Sequence, residues 1–335
     1  MYNEKRICLG EIYMDFTKLS NGQYEGFAVI KRCDRKVTSK GTDYLDMKLS
    51  DKSGEISAKL WDYVPATHGE YETDTLVKVR GEISKFAGAD QMRITKIRRT
   101  DENDNVDISD YVKSADYSGE YMFDAIIKRA QAFEDEELKK LVIHIYNSNK
   151  DKLLTFPAAF RLHHAIRGGL LMHTLSIIKL CEAVCEIYPY VNRDLLITGA
   201  ALHDIAKLTE YEVTATGTAT GYTVEGNLIG HLVKGAIIVD KVCDELGISK
   251  EKAMLVEHML ISHHGEPEFG AAVRPMFIEA ELLSELDNLD AKMYQMSQAV
   301  DGLEKDAFSS RLWALNDRKL FNYSDDNKDF KVNLD

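Results

Sequence analysis

The stretch Leu195–Tyr211 constrains the fold most, because it is apolar or small almost all the way round and carries a histidine and an aspartate in its middle. A helix without a polar face is a buried helix, so this stretch predicts one buried helix. His203 and Asp204 would then lie in the interior, where an unpaired carboxylate is costly. A metal ion bound by both side chains removes that cost. Lys207, one turn beyond Asp204, can lean over the same site.

Other candidate ligands recur at about the length of one helix plus its loop. Of the 10 histidines, 8 fall between His163 and His264, and His173 and His231 lie 30 residues before and 28 residues after His203. Because a helix with its loop takes roughly 25–30 residues, this spacing predicts an all-α array in which successive helices supply ligands. The predicted ligands are His173, His203, Asp204, His231, His263 and Asp290.

Helical periodicity places these side chains inward. His173 and His231 each belong to a row that is otherwise apolar or glycine, which predicts that both are buried. Asp290 continues an inner row of the last long helix, and we prefer it as a ligand to Asp287, one turn earlier. His258 is predicted to be buried and hydrogen-bonded rather than coordinating.

The composition, with 44% apolar and 29% charged residues, is that of a soluble globular protein, and 335 residues favour two domains. No run approaches the roughly 18 apolar residues that span a bilayer. The N-terminus lacks the apolar core of a signal peptide, and the 5 cysteines form no CxxC pair. We therefore expect a reduced, cytoplasmic protein.

Charge divides the chain into two parts. The net charge is −13, yet residues 1–100 hold 18 basic and 15 acidic residues, against 24 and 40 in the remainder. A nucleic-acid partner therefore fits the first hundred residues better than the rest. An acidic second domain can still act on phosphates if bound cations reverse its local field.

The first hundred residues have the pattern of strands. Apolar and polar residues alternate in Thr42–Ser50 and in Glu55–Trp61, as in half-buried strands, and three further β-rich runs accompany them. Five strands with one irregular excursion near Pro65–Tyr71 predict a small closed barrel of the OB-fold type.

Basic and aromatic residues interleave on the predicted outer face of this barrel. Proteins that hold single-stranded nucleic acid pair phosphates with lysine or arginine and stack bases on rings. A solvated face with packed aromatics is the alternative. The candidate nucleic-acid-binding residues are Lys36, Lys40, Tyr44, Lys48, Lys59, Trp61, Phe86 and Arg93.

Imidazole and carboxylate ligands without thiolate suit Mn, Fe, Co, Ni or Zn rather than Ca or Mg. The predicted ligands divide into His173, His203, Asp204 and Asp290 for one ion, and His231 and His263, with Asp204 shared, for a second. Two ions about 3.5–4 Å apart hold and acidify a hydroxide and stabilise the departing oxygen. Lys207 would neutralise phosphoryl oxygens. The implied reaction is phosphoester hydrolysis.

Further residues are predicted at the site on weaker grounds. His264 is a candidate either for metal ligation or for contact with the phosphate. Arg167, His163 and His164 are candidates for phosphate or substrate contact at the mouth of the site, and packing or surface roles are the alternatives.

The motif order His173…His203-Asp204…Asp290 resembles the HD superfamily of metal-dependent phosphohydrolases, and His231 and His263 resemble its two-metal branch. The segments PAAFRLHHAIRGGLLMHT, ALHDIAK, ISHHGEPEFG and EAELLSELDNLDAK, preceded by an OB-like domain, resemble the YhaM-type 3′–5′ exoribonuclease family over nearly the whole chain. The resemblance implies Mn²⁺-type activation and an N-terminal domain that feeds single-stranded RNA or DNA to an all-α domain. GEPEFG stands where HD-GYP phosphodiesterases for cyclic dinucleotides carry a GYP element, which disfavours that activity.

The predicted fold class is multidomain α+β. We divide the chain into an OB-fold domain (1–100), a linker and helical connector (101–156), an HD phosphohydrolase domain (157–300) and a C-terminal tail (301–335). The predicted function is 3′–5′ exoribonuclease activity with two divalent ions, Mn²⁺ being preferred. Two alternatives stay open: hydrolysis of a small nucleotide, and nucleic-acid binding without catalysis around a structural metal. A homo-oligomer is also open.

Overall fold

The computed structural model describes residues 22–51, 53–86, 88–160, 164–324 and 330–334. The chain divides into two units, Met1–Ser114 and Ala115–Asp335. His163, one of the predicted substrate contacts, lies outside the described residues.

The first unit is built around a five-stranded barrel. Its strands are β1 (Gly22–Val37), β2 (Asp43–Ser50), β3 (Glu55–Leu60), β4 (Leu76–Phe86) and β5 (Ala89–Arg99), with the short helix α1 (Pro65–His68) between β3 and β4. The strand order is β1-β2-β3-β5-β4, closed by antiparallel pairing of β1 with β4, and β3 runs parallel to β5. A closed barrel with this order has the topology of the OB-fold, so the predicted fold class is confirmed for this unit.

Alternation along β2 and β3 fills the barrel interior. Met47 and Ala58 face each other across these strands and are fully buried, as a period of two requires when one face of a sheet is buried. The pairing of β4 with β5 shifts register between Arg80 and Gly81 because β5 carries an extra residue, Thr95, and this bulge adds local curvature. A Cβ on Gly81 would lie 2.5 Å from the main-chain oxygen of Arg93, so glycine is needed for the approach of β5.

The second unit is helical with one small hairpin. Its helices are α2 (Gly119–Gln131), α3 (Glu136–Ser148), α4 (Lys150–Leu153), α5 (Gly169–Ile187), α6 (Arg193–Leu202), α7 (Lys207–Glu210), α8 (Val224–Leu228), α9 (Gly230–Leu246), α10 (Lys250–Ser262) and α11 (Ile278–Val300). Strands β6 (Tyr211–Val213) and β7 (Ala219–Tyr222) form the hairpin. Within the described ranges, no helix combines the length and apolarity that crossing a membrane requires.

Helices α2 and α3, which the sequence assigns to a connector, pack into the core of the second unit. Ser118 and Asp135 cap their N-termini by accepting hydrogen bonds from main-chain N–H groups. Leu141 of α3 is fully buried in the same apolar cluster as Leu171 of α5 and Leu196 of α6. The two helices thus support the helices that carry the predicted ligands.

We expect Leu141→Ala to lower the free energy of unfolding of the helical unit by about 2–5 kcal/mol, because it leaves a cavity in a packed core. Urea unfolding followed by far-UV circular dichroism at the helical signal measures the change. Lys140→Ala, at the exposed neighbouring position of the same helix, is the matched control and should change stability little. Equal stability of the two variants would show that α3 contributes no core packing.

The prediction of one unbroken central helix is wrong. Helix α6 ends at Leu202 and α7 begins at Lys207, so His203 and Asp204 lie in the turn between them. Nδ1 of His203 donates to the main-chain oxygen of Ala200 at 2.9 Å, and the N–H groups of Ile205, Lys207 and Leu208 bond to the carbonyls three residues earlier. These bonds tighten the chain as in a 3₁₀ helix. The predicted burial of the stretch is confirmed.

Candidate metal centre

One group of donor atoms forms around Nε2 of His173, which α5 carries. This nitrogen lies 3.4 Å from Nε2 of His203, 3.7 Å from Oδ2 of Asp204 and 3.1 Å from Oδ1 of Asp287, which α11 carries. Nε2 of His203 lies 3.2 Å from the same oxygen of Asp204. Two imidazoles and two carboxylates therefore converge in the interior, and we call them the first donor set.

A second donor set forms around the other oxygen of Asp204. Oδ1 lies 3.4 Å from Nε2 of His231 on α9 and 3.9 Å from Nε2 of His263, which follows α10. Donor atoms of His231, His263 and His264 also lie within 4.8 Å of one another. Because its two oxygens face different histidines, Asp204 joins the two sets.

The outward nitrogen of each histidine in these sets has an acceptor that fixes the ring. Three of these acceptors are main-chain oxygens: Nδ1 of His203 contacts Ala200, that of His263 contacts Leu260 and that of His264 contacts Phe269, at 2.8–2.9 Å. The other two are carboxylates: Nδ1 of His173 contacts Asp290 at 2.7 Å, and Nδ1 of His231 contacts Glu210 at 2.9 Å. An acceptor at Nδ1 selects the tautomer in which Nε2 carries the lone pair. The rings are therefore oriented with Nε2 toward the donor sets.

Three buried atoms in the centre lack a hydrogen-bond partner among the described residues: Oδ1 of Asp204, Nε2 of His231 and Nε2 of His263. Each such atom costs about 1–3 kcal/mol when it is left unpaired. All three belong to the second donor set, and all three are atom types that bind first-row transition metals. A bound cation would satisfy them together, so these residues fit a metal ion.

Protonation states agree with metal ligation at most positions. Burial would raise the pKa of the Asp204 carboxyl, but Lys207 and His203 hold it well below its usual value. Burial and the neighbouring His264 hold the pKa of His263 well below the ordinary imidazole value. Burial would lower the pKa of His173, yet hydrogen bonds to the two aspartates of α11 raise it to about 10. A metal at Nε2 of His173 must therefore displace a proton.

The two aspartates of α11 occupy different sides of His173. Oδ2 of Asp290 lies 2.7 Å from Nδ1, whereas Oδ1 of Asp287 lies 3.1 Å from Nε2. The two nitrogens of an imidazole point away from each other, so Asp290 cannot share an ion with Nε2 of this ring. The geometry favours Asp287 over our sequence-based choice of Asp290. Asp290 instead accepts hydrogen bonds from His173, Ser176 and His164.

Two other sequence-based choices also lie away from the mouth of the site. His164 is fully buried, with Nε2 3.0 Å from Asp290, so it supports α11 rather than meeting substrate. Arg167 contacts the main-chain oxygen of Ala215 at 3.4 Å and is not among the described residues that line the cavity over the centre. His258 is half-buried and accepts a hydrogen bond from the N–H of Met276, outside both donor sets.

The predicted catalytic residues border a cavity of about 1230 Å³ in the helical unit. Asp204, Lys207 and His264 all line it. Nζ of Lys207 lies 2.7 Å from Oδ2 of Asp204, and its side chain is largely buried. The cavity thus gives a ligand of nucleotide size access to the second donor set.

Glu210 was not identified from the sequence. It accepts hydrogen bonds from both the main-chain N–H and the ring of His231. The sequence signal that could have found it is its position three residues after Lys207 in the same apolar stretch, because a buried carboxylate needs a hydrogen-bonding or charged partner.

The outer face of the barrel carries part of the predicted nucleic-acid-binding set. The rings of Tyr44 and Trp61 stack at 4.6 Å, and the ammonium group of Lys59 lies 5.5 and 5.3 Å from their centroids. Arg93 on β5 is the cross-strand neighbour of Lys59. Two others are charge-compensated: Lys36 pairs with Asp46 and Lys48 pairs with Glu55. Lys40 and Phe86 are exposed at a turn and a strand end.

Residues 170–292 match the model of the HD domain family, and this range contains both donor sets. The barrel is similar to solved structures at low scores. A replication protein A heterotrimer bound to ssDNA shares 21% identity over 28% of this chain and 66% of that chain, with a TM-score of 0.21. The second OB-fold domain of replication protein A from Methanococcus maripaludis shares 16% identity over 24% of this chain and 87% of that chain, with a TM-score of 0.21.

The mitochondrial single-stranded DNA binding protein Rim1 from S. cerevisiae shares 10% identity over 24% of this chain and 96% of that chain, with a TM-score of 0.21. Because these TM-scores are low, the assignment of the barrel to the OB-fold rests on its strand order. The chain therefore joins an OB-type barrel to a helical region whose residues 170–292 match the HD domain family.

Proposed function

We propose that this protein is a metal-dependent 3′–5′ exonuclease that hydrolyses phosphodiester bonds of single-stranded RNA. The observation that carries the proposal is the pair of donor sets joined by the two oxygens of Asp204. Divalent ions held there, with Mn²⁺ preferred, would acidify a water molecule and stabilise charge on a phosphoryl group and its leaving oxygen. A purely structural metal site is usually closed and four-coordinate, whereas this centre borders an open cavity.

Protein groups around the centre have separable tasks in this proposal. Asp204 and Asp287 supply the negative charge that holds cations against a phosphodiester, which is itself an anion. Lys207 keeps Asp204 ionised and puts a fixed positive charge on the cavity wall, where it would meet phosphoryl oxygens. Nδ1 of His264 donates to a carbonyl, so its Nε2 acts as an acceptor and suits a metal better than a leaving oxygen.

The choice of a single strand as substrate is supported by the stacked rings and ammonium group on the outer barrel face, defined by Tyr44, Lys59 and Trp61. Aromatic rings beside cations bind unpaired bases and phosphates without strong sequence preference. The polarity of degradation and the preference for RNA rest on the resemblance of the quoted segments to YhaM-type exoribonucleases.

A 5′-labelled single-stranded RNA, incubated with the purified protein and Mn²⁺ and resolved on a sequencing gel, tests the proposal directly. We expect a ladder that shortens from the 3′ end and disappears when the metal is chelated. An intact RNA together with hydrolysis of a small nucleotide under the same conditions would instead support a nucleotidase. Hydrolysis of neither would leave a binding protein with a structural metal.

Removing the barrel face should affect long substrates selectively. We expect the double variant Lys59→Ala/Trp61→Ala to raise the KM for a long single strand about 5- to 150-fold, because one base–aromatic stack contributes about 1–3 kcal/mol. The rate on a dinucleotide should be unchanged. The control is Lys96→Ala, which removes an exposed lysine of β5 that is not in the predicted set. Equal loss on long and short substrates would contradict a guiding role for the barrel.

A further inference from the structure

A hairpin follows the HD domain and lies outside the matched range. Residues 307–322 form two arms joined by bridges between Phe308 and Phe321 and between Leu312 and Arg318. We call this segment the C-terminal hairpin. Its tip is a 3₁₀ turn, Trp313–Leu315. The sequence predicted only a tail here.

The tip of the C-terminal hairpin is held in place from one side. Leu315 is buried, with 1% of its surface exposed, whereas Trp313 in the same turn is 74% exposed. The next two residues, Asn316 and Asp317, have φ of 57° and 55°, in the left-handed region that non-glycine residues seldom adopt. The buried Leu315 thus anchors the turn that carries the exposed Trp313.

The C-terminal hairpin forms part of the wall of the cavity over the metal centre. Trp313, Leu315 and Arg318 line the cavity of about 1230 Å³ that also contains Asp204 and Lys207. Nε of Arg318 donates to the main-chain oxygen of Leu315 at 2.9 Å, and this bond holds the guanidinium group on the same wall of the cavity. An exposed indole and a cation therefore face a site built for phosphodiester chemistry.

We propose that Trp313 is a substrate-binding residue that stacks on the terminal nucleobase of the strand being hydrolysed, with Arg318 pairing with a phosphate beside it. The inference rests on the proposed function and extends it, because it assigns the recognised part of the substrate to a segment outside the HD domain. Stacking on indole accepts every base, since each has a π-face, so this contact suits an enzyme that removes nucleotides regardless of sequence.

Other features of the cavity favour a nucleotide over a small phosphate ester. Its volume exceeds the roughly 300–1,000 Å³ that is usual for a single small-molecule pocket. The rings of Phe160 and Tyr222 also line it, with their centroids 6.0 Å apart. A site for a bare phosphodiester would need no exposed aromatic surface.

The test compares Trp313→Ala and Trp313→Phe with Tyr190→Ala, which removes a 71% exposed aromatic that does not line the cavity. Two RNA substrates are used, one with a normal 3′-terminal nucleotide and one in which that nucleotide lacks its base. We expect Trp313→Ala to raise the KM for the normal substrate about 5- to 150-fold, as loss of one stack requires. The same variant should leave the KM for the abasic substrate unchanged, and Trp313→Phe should retain most of the wild-type affinity for the normal substrate.

A binding measurement separates this inference from the proposed function. The chain has 2 tryptophans, so in a Trp61→Phe protein Trp313 alone reports by fluorescence. Adenosine monophosphate should quench this fluorescence, and ribose 5-phosphate should not. Quenching without any RNA hydrolysis would overturn the exonuclease while supporting the stack. RNA hydrolysis with equal KM for Trp313→Ala and wild type, or equal quenching by both ligands, would overturn the role of Trp313.

Discussion

The Asp204→Asn variant is expected to lose at least about a thousandfold in phosphodiesterase rate, equivalent to about 4 kcal/mol in the activation barrier. The reason is that one carboxylate serves both donor sets. Its Oδ2 lies 3.2 Å from Nε2 of His203 and its Oδ1 lies 3.4 Å from Nε2 of His231. An amide keeps the shape of the side chain but removes the negative charge and one of the two acceptor oxygens.

Steady-state kinetics on RNA and metal analysis of the purified protein measure this effect together. We expect the variant to retain less metal than the wild type, because both donor sets lose a ligand. Asp240→Asn, an exposed aspartate on α9, is the control for a change of one charge. Circular dichroism establishes that the variant is folded. A folded Asp204→Asn protein with more than a tenth of the wild-type rate would remove Asp204 from the centre of the mechanism.

The second large effect distinguishes the two aspartates of α11. We expect Asp287→Asn to reduce the rate about a thousandfold, since it removes an anionic oxygen 3.1 Å from Nε2 of His173. Asp290→Asn should cost only about 10- to 100-fold, the range for groups that orient a metal-binding histidine. Asp290 contacts the opposite nitrogen of the ring, at 2.7 Å.

A metal titration makes the distinction sharper than the rates alone. Added Mn²⁺ should restore much of the activity of Asp290→Asn, because a weakly oriented ring still binds an ion at higher concentration. It should not restore Asp287→Asn, which lacks the ligand itself. The two variants make the same chemical change at positions about one turn apart on the same helix, so each is the matched control of the other. Rescue of Asp287→Asn but not of Asp290→Asn would return the ligand role to Asp290.

The barrel was predictable because its signal is local. Alternation along β2 and β3 requires only that one face be buried, and the burial of Met47 and Ala58 follows from that period. The burial of His173, His203 and His231 was predictable for a related reason, because each lies within an otherwise apolar row or stretch. Both inferences use the neighbours of a residue along the chain and nothing beyond them.

The choice between Asp287 and Asp290 could not be made in this way. Both residues lie on the inner side of α11, and which of them meets Nε2 of His173 depends on how α11 packs against α5. The end of α6 at Leu202 is equally hidden from the sequence pattern, because a ring-to-carbonyl bond from His203 replaces regular helical bonding there. The C-terminal hairpin has neither helical nor strand periodicity, so its place on the cavity wall had no sequence signal.

The acceptors at the outward nitrogens of the five imidazoles have a consequence for how the centre can change during evolution. A main-chain oxygen survives any substitution of the residue that bears it, so the anchors of His203, His263 and His264 are insensitive to sequence drift. The anchors of His173 and His231 are carboxylates, which make an imidazole a stronger electron donor to metal. Single substitutions at Asp290 or Glu210 can therefore retune two of the five rings, while the course of the backbone preserves the other three.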